Sequence, residues 1–185
     1  MTALTIYPDT QPEQGEIFKD IIAIQSQLKN IGVQFEQWTS EQELASDADQ
    51  ASVIAAYATS IDKLKADCAF QSVDVMKLNP DHPDRAVFRQ KFLAEHVHED
   101  FEVRFFVEGR GLFYLHVDNK VYAVLCEQGD LISVPANTKH WFDMGENPKF
   151  TCIRLFTTPD GWVANFTGND IAKSFPTFDD YVAAL

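Results

Sequence analysis

The chain has 185 residues, 45% hydrophobic and 23% charged, which suits one globular domain with a sizeable core. Its 15 basic and 28 acidic residues give a net charge of −13, which argues against nucleic acid as a partner because no basic patch is available to displace phosphate counterions. No apolar run approaches the ~18 residues of a membrane span. The opening MTALTIYPDT has neither the basic nor the apolar part of a secretory signal, so a cytoplasmic location is expected.

In chain order, the first ninety residues lean helical. In QGEIFKDIIAIQSQLKNIG, Ile17, Phe18, Ile21, Ile22, Ile24 and Leu28 form a broad apolar stripe at helical spacing, with Gly32 as a stop. VQFEQW reads as a short strand. DADQASVIAAYATSIDKLKADCAF predicts a second helix, capped by one of its leading Asp residues. SVDVMKL alternates like a strand, and PDHPDRAVFRQKFL predicts a turn and a short helix.

From about Lys91 to Thr157 the apolar runs become short, β-branched and aromatic. GLFYLHV, the pair Asp118-Asn119 and KVYAVLCE predict a hairpin, and GDLISVP and FTCIRLFTT predict further strands. The tail GWVANFTGNDIAKSFPTFDDYVAAL is mixed, and its end is expected to fray. The expected organisation is a single domain over residues 1–185: a helical part (1–90) packed on a β-barrel core (91–160), followed by a tail (161–185). Cys68, Cys126 and Cys152 are odd in number and far apart, so reduced, buried thiols are expected rather than a disulfide framework or a zinc site.

The stretch HVHEDFEVRFFVEG, residues 96–109, carries the chemistry. His96, His98, Asp100, Glu102 and Arg104 occupy every second position, and between them stand Val97, Phe101, Val103, Phe105 and Val107, with Glu99 the exception. On a helix, His96 and His98 would lie about 200° apart. In an extended chain, residues two apart point the same way and can reach one metal ion. Glu102 converges either along the same strand or from a return strand after a bend at HEDF. Gly109 falls where strand pairing would end. A further His arrives in GDLISVPANTKHWF, where Pro135 can end a strand and Asn137 tolerates the left-handed backbone that would turn His140 inward. The alternative is a plain surface strand with its polar face in solvent. His116, in the hairpin, and His82, on a loop expected to be solvated, match neither block and are not expected to be ligands.

These two blocks resemble the paired motifs of the cupin superfamily. The first motif is complete in His96, His98, Glu102 and Gly109, although Gln90 stands where a Gly is usual. In the second, Gly129, Pro135 and His140 match, while Asn137 replaces the usual Gly and Met144 the usual Asn. More specifically, EHVHEDFEVRFFVEGRGLFYLHV, DLISVPANTKHWFDMG and IRLFTTPDGWVANFTG are similar to the acireductone dioxygenase family of methionine salvage. Its particular marks are Arg104 two residues after the Glu and Trp141-Phe142 directly after the His.

The resemblance implies a mainly β fold with flanking helices, the double-stranded β-helix or jelly-roll barrel of cupins. It implies a metal site of His96, His98, Glu102 and His140. Three imidazoles and one carboxylate suit Fe(II), Ni(II), Co(II) or Mn(II), one per chain, with two coordination positions left open. The implied reaction is cleavage of the enediol acireductone by O2. With iron, family members release formate and the 2-keto acid precursor of methionine; with nickel they release 3-methylthiopropionate, formate and carbon monoxide. Arg104 would stabilise the substrate dianion, the alternative being an ion pair with Glu102 or Asp100. Phe92, Phe142 and Trp162 are candidates for an apolar wall around the methylthio tail, or plain core. Arg154 is a weaker pocket candidate, because a lone strand Arg is more often in an ion pair. Glu95 is a candidate acceptor for a ligand imidazole, or an exposed carboxylate. A monomer is expected. The rival readings are a cupin enzyme of another small substrate and a non-catalytic metal- or ligand-binding cupin.

Overall fold

The computed structural model describes residues 1–40, 42–45, 47–67, 70–158 and 163–185, so Cys68 and the pocket candidate Trp162 lie outside it. Among the described residues, four strands precede residue 90: β1 (Ala3–Pro8), β2 (Glu16–Phe18), β3 (Gln34–Gln37) and β4 (Ser72–Leu78). The rest are β5 (His96–Val97), β6 (Glu102–Val117), β7 (Lys120–Glu127), β8 (Asp130–Val134), β9 (Lys139–Asp143), β10 (Phe150–Phe156) and β11 (Asn165–Phe166). Helices α1 (Ile21–Lys29), α2 (Gln50–Ala56), α3 (Ala58–Asp67), α4 (Arg85–Leu93) and α5 (Phe178–Ala184) lie outside, with a 3-10 turn at Ile171–Ser174. One antiparallel sheet runs β11-β5-β9-β6-β7-β1-β2, and the other runs β4-β10-β6-β8-β3. They share β6 and close into the jelly-roll barrel that the cupin resemblance implies.

The shared strand explains how the site is built. Its first half pairs with β8 and β10, its second half with β7 and β9. The switch falls at Gly109, whose φ is +77°. There the register slips: Thr151 faces Glu108 but Cys152 faces Phe106, leaving Val107 with no partner on β10. One extra residue reverses which side chains point inward. Before the bulge the even positions Glu102, Arg104 and Phe106 face the interior. After it the odd positions Phe113 and Leu115 do, and both pack with Phe106 in one interior cluster. Pairing therefore does not end at Gly109, as the sequence suggests; it changes partners.

The oily odd face of the motif, Val103, Phe105 and Val107, packs outward under α2 and α3 with Val53, Tyr57 and Ile61. Phe101 is the exception at 41% exposure, because residues 98–101 bend between β5 and β6. A third cluster, including Tyr114 and Trp141, lies between the other sheet and α5.

Several elements differ from the expectation. The N-terminal part is not simply helical, since β1 pairs with β7, β3 with β8 and β4 with β10. Ile17 and Phe18 sit in β2 against β1 rather than in a helix, which begins only where the Asp20 side chain accepts from Ala23 N–H at 2.9 Å. Ile22 then faces solvent, while Ile24 and Leu28 are buried. The second helix is two, broken at Tyr57, whose backbone (φ −126°, ψ 20°) leaves the helical region. The capping Asp is Asp49, which accepts from Ser52 N–H. The tail does not fray: Thr177 and Asp180 form a reciprocal capping box, and Phe178 and Tyr181 are buried. The hairpin stands as expected, with positive φ at both Asp118 and Asn119, as a type I′ turn requires. Cys126 and Cys152 are free and buried in the interior, and burial raises both thiol pKa values, that of Cys152 to about 12. Among the described residues no helix is long and apolar enough to cross a membrane.

Candidate metal centre

Three strands deliver four side chains to one point inside the barrel. His96 on β5 stands opposite His140 on β9, His98 follows β5 at the bend, and Glu102 opens β6. The bend lets Glu102 approach from the return strand. Asn137 adopts the left-handed backbone (φ 61°) expected of it, and its N–H donates to His98 C=O at 2.7 Å, which brings the β8–β9 turn onto the bend. All four side chains are buried, and one ligand atom from each lies within 4.8 Å of the other three.

Each imidazole is oriented by a backbone carbonyl. Nδ1 of His96 contacts Ala94 O at 2.7 Å, Nδ1 of His98 contacts Val163 O at 2.8 Å, and Nδ1 of His140 contacts Thr138 O at 2.7 Å. A carbonyl only accepts, so each Nδ1 carries a hydrogen and each Nε2 is the nitrogen that faces the centre. Nε2 of His98 and of His140 lie 3.0 and 3.1 Å from Glu102 Oε2. Two ligands at ~2.1 Å from one ion and at right angles to it would lie ~3.0 Å apart. Three imidazoles and a carboxylate brought this close form a donor set that can hold a metal ion.

Electrostatics favour the ligand forms of His96 and Glu102. Burial, followed by the charge of His140, pushes the His96 pKa down to about 4, so His96 is neutral at physiological pH. Burial would also lower His98, but its hydrogen bond to Glu102 and the charge of that carboxylate outweigh burial and raise it. Burial alone would raise Glu102; the Arg104 charge and the bonds to His140 and His98 instead hold it well below the usual carboxylate range. A metal would displace the His98 proton and take over its interaction with Glu102.

Arg104 lies on the interior face beside the cluster, almost fully buried. Its Nε approaches Glu102 Oε1 at 2.7 Å, an ion contact whose alignment is too poor for a hydrogen bond. The guanidinium carbon stands 4.6 Å from the ring centre of Phe142 and 5.5 Å from those of Phe92 and Phe113. Asp100 is engaged elsewhere: it accepts from Phe101 N–H and Thr157 N–H. A pocket of about 510 Å³ opens over His96, His98 and Arg104, walled by Phe88 and Phe92 of α4 and by β4. A larger cavity of about 620 Å³, around Tyr57 and Val107, lies outside the barrel and touches none of the four cluster residues.

The other sequence candidates are placed as follows. Phe92 lines the pocket, whereas Phe142 is 1% exposed and belongs to the core rather than to the wall; the two rings meet edge to face beside Arg104, 6.2 Å between centres. Arg154 is the cross-strand neighbour of Arg104 and lines the pocket, but its guanidinium is held bidentately by Asp74 at 2.8 and 2.6 Å. Glu95 is buried, not exposed, and the expectation that it holds a ligand imidazole is corrected. Its carboxylate contacts His116 Nδ1 at 2.7 Å and accepts from Thr167 Oγ1 at 2.5 Å, while backbone carbonyls serve the three cluster rings. His116 lies after the bulge and on an even position, so it points out of the barrel. His82 is not on a freely solvated loop: it packs on Phe88 and reaches the pocket rim. Sequence reasoning missed Phe88, although its spacing four residues before Phe92 puts the two on one helix face.

Known proteins resemble this chain along nearly its whole length. The model of the ARD/ARD' family matches residues 3–164. A curated acireductone dioxygenase of Methylococcus capsulatus is 54% identical over 182 residues, covering 98% of both chains. One of Alcanivorax borkumensis is 56% identical over 173 residues, covering 93% of this chain and 96% of its own. Among solved structures, acireductone dioxygenase from Bacillus anthracis, with a cadmium ion in its active centre, superposes with a TM-score of 0.79 at 28% identity, covering 90% of this chain and 98% of that one. On the family match and these end-to-end identities, the chain belongs to the acireductone dioxygenase family.

Proposed function

We propose that this protein is a metal-dependent dioxygenase that cleaves acireductone with O2, with His96, His98, Glu102 and His140 as the metal ligands. The observation that carries the reading is the cluster itself: three imidazoles with Nδ1 occupied by backbone carbonyls, and a carboxylate kept ionised beside Arg104, beneath a pocket that opens over His96, His98 and Arg104. Bound there, Fe(II) or Ni(II), with Co(II) and Mn(II) as further candidates, supplies Lewis acidity and a template for the substrate.

The chain's own residues do the rest. The three carbonyls hold the imidazoles in one tautomer and orientation. Arg104, permanently charged and out of water, favours the dianion of the enediol over the monoanion and so makes the substrate more electron-rich toward O2. Its contact with Glu102 orients the guanidinium and sets it beside the ligand face. Phe92 and Phe88 offer an apolar wall to the methylthio tail, with Phe142 buried behind Arg104; thioether–aromatic contacts are favourable by ~0.3–1.5 kcal/mol. Arg154, neutralised by Asp74, shapes the wall rather than adding a free charge.

Family resemblance supports a further step: the metal selects the products. Iron would give formate and the 2-keto acid precursor of methionine, and nickel would give 3-methylthiopropionate, formate and carbon monoxide, which places the iron form in methionine salvage. The test is product analysis, carbon monoxide included, on one preparation stripped and reloaded with each metal. Carbon monoxide from the nickel form alone is the expected result. Identical products from two verified metal forms would remove metal-controlled branching from the proposal.

A further inference from the structure

The wall of the pocket that faces Arg104 is carried by α4, and α4 is weakly anchored by its own sequence. It has nine residues, its Asp84 makes no side-chain cap, and none of its residues is fully buried. A helix this short is marginal alone, so tertiary contacts must set its position. Phe88 and Phe92 pack against the interior cluster, but both remain partly exposed to the pocket.

The strongest directed contact of α4 lies on its other side. Arg89 donates through Nε to Asp143 Oδ1 at 2.8 Å and through a terminal nitrogen to Oδ2 at 3.0 Å. Asp143 is fully buried, and its carboxylate also accepts from Gly145 N–H at 2.9 Å and Phe178 N–H at 2.8 Å. It is therefore a fixed point, joined to the chain turn after β9 and to the start of α5. Asp143 follows His140 by three residues on β9, and Arg89 precedes Phe92 by three on α4. The planar two-point pair ties the strand that bears the His140 ring to the helix that bears the pocket wall.

We propose that Arg89 is a positioning residue: its bidentate pair with Asp143 sets the height of α4 over the pocket, and through Phe92 it decides which apolar tails an enediolate substrate can carry. This rests on the dioxygenase reading above. A wall set by an ion pair outside the pocket confers size selection without placing any charge beside the tail. Arg89 lines neither the pocket nor the four-residue cluster, so it acts through the placement of the α4 wall, of which Phe92 lies nearest Arg104.

The test is a double-mutant cycle of Arg89→Met and Phe92→Ala in the metal-loaded enzyme, with synthetic acireductones bearing a methylthio tail and a longer unbranched alkyl tail. Arg89→Met should keep full metal content, raise KM for the methylthio substrate ~10-fold, leave kcat within ~3-fold, and narrow the preference for the short tail. In the Phe92→Ala background the same change should alter KM less than ~2-fold, because its route of action is gone. Equal effects in both backgrounds, or an unchanged KM, would overturn the proposal. Arg89→Lys, which keeps the charge and loses the two-point geometry, runs the same cycle if Arg89→Met does not fold. Amide exchange without substrate gives a readout independent of turnover: Arg89→Met should speed exchange across residues 86–93 and leave β9 protected. Unchanged exchange in α4 would refute the tether. A wild-type enzyme with no turnover of acireductone would reject the dioxygenase reading, while the exchange experiment would still decide the tether.

Discussion

His96 and His140 face each other across the β5–β9 ladder with ring centres 4.4 Å apart, and each bonds through Nδ1 to the carbonyl two residues before it, at 2.7 Å. The same local device on two antiparallel strands aims two Nε2 atoms at one point. Replacing either His by Ala removes a lone pair that no neighbour can supply. The expected loss of metal affinity exceeds the ~10–100-fold typical of outer partners, and chelator competition measures it. His98→Ala and Glu102→Ala should behave alike. Full metal content in His140→Ala would break the four-ligand assignment.

Arg104→Met keeps the stem's volume against Phe92, Phe113 and Phe142 while removing the charge. Metal content should stay near one per chain. Turnover should fall roughly 100- to 1000-fold, the effect of losing one preorganised charge stabiliser at ~2.7–4 kcal/mol. Near-normal turnover would reduce Arg104 to a structural partner of Glu102.

How much of this was legible in the sequence depends on range. His96 and His98 share a parity that only an extended chain can use, Glu102 arrives from the return strand after the bend, and the hairpin at Asp118-Asn119 and the turn at Asn137 are local signals that needed no tertiary context. The N-terminal strands were not legible in the same way. ALTIYP is short and mostly apolar, and becomes a strand because it pairs with β7 more than a hundred residues away. Ile17 and Phe18 fit a helical stripe, yet strand pairing with β1 overrides it. The bulge at Val107 is not announced locally, and without it His116 would share a face with Glu102 and Arg104. Arg89 and Asp143 lie 54 residues apart, and nothing in either segment announces the partner.

Gly109 makes the parity reversal feasible. Its φ is +77°, and a Cβ there would overlap the Lys149 carbonyl oxygen. Gly109→Ala should destabilise the fold by more than ~2 kcal/mol, the left-handed backbone alone costing an L-residue ~1–2 kcal/mol. Urea unfolding checks it. A midpoint unchanged from wild type would mean that the β6–β10 junction adapts without strain.

Metal binding should stabilise the protein, because the site exists only when β5, β6 and β9 are assembled. At a free metal concentration of ~100 times Kd the gain is ~2.7 kcal/mol, read as a rise in Tm. The rise should vanish in His98→Ala. A Tm that ignores nickel in the wild type would contradict a preformed site.

The measurement closest to the central claim is oxygen uptake by the purified protein with synthetic acireductone, stripped of metal and then reloaded. The metal-free form should consume no O2 above the uncatalysed rate, reloading with Fe(II) or Ni(II) should restore uptake stoichiometric with substrate loss, and His140→Ala should stay inactive under the same loading. Uptake that is absent with every metal, or present without one, would contradict the assignment of this four-residue centre as the seat of a metal-dependent dioxygenase.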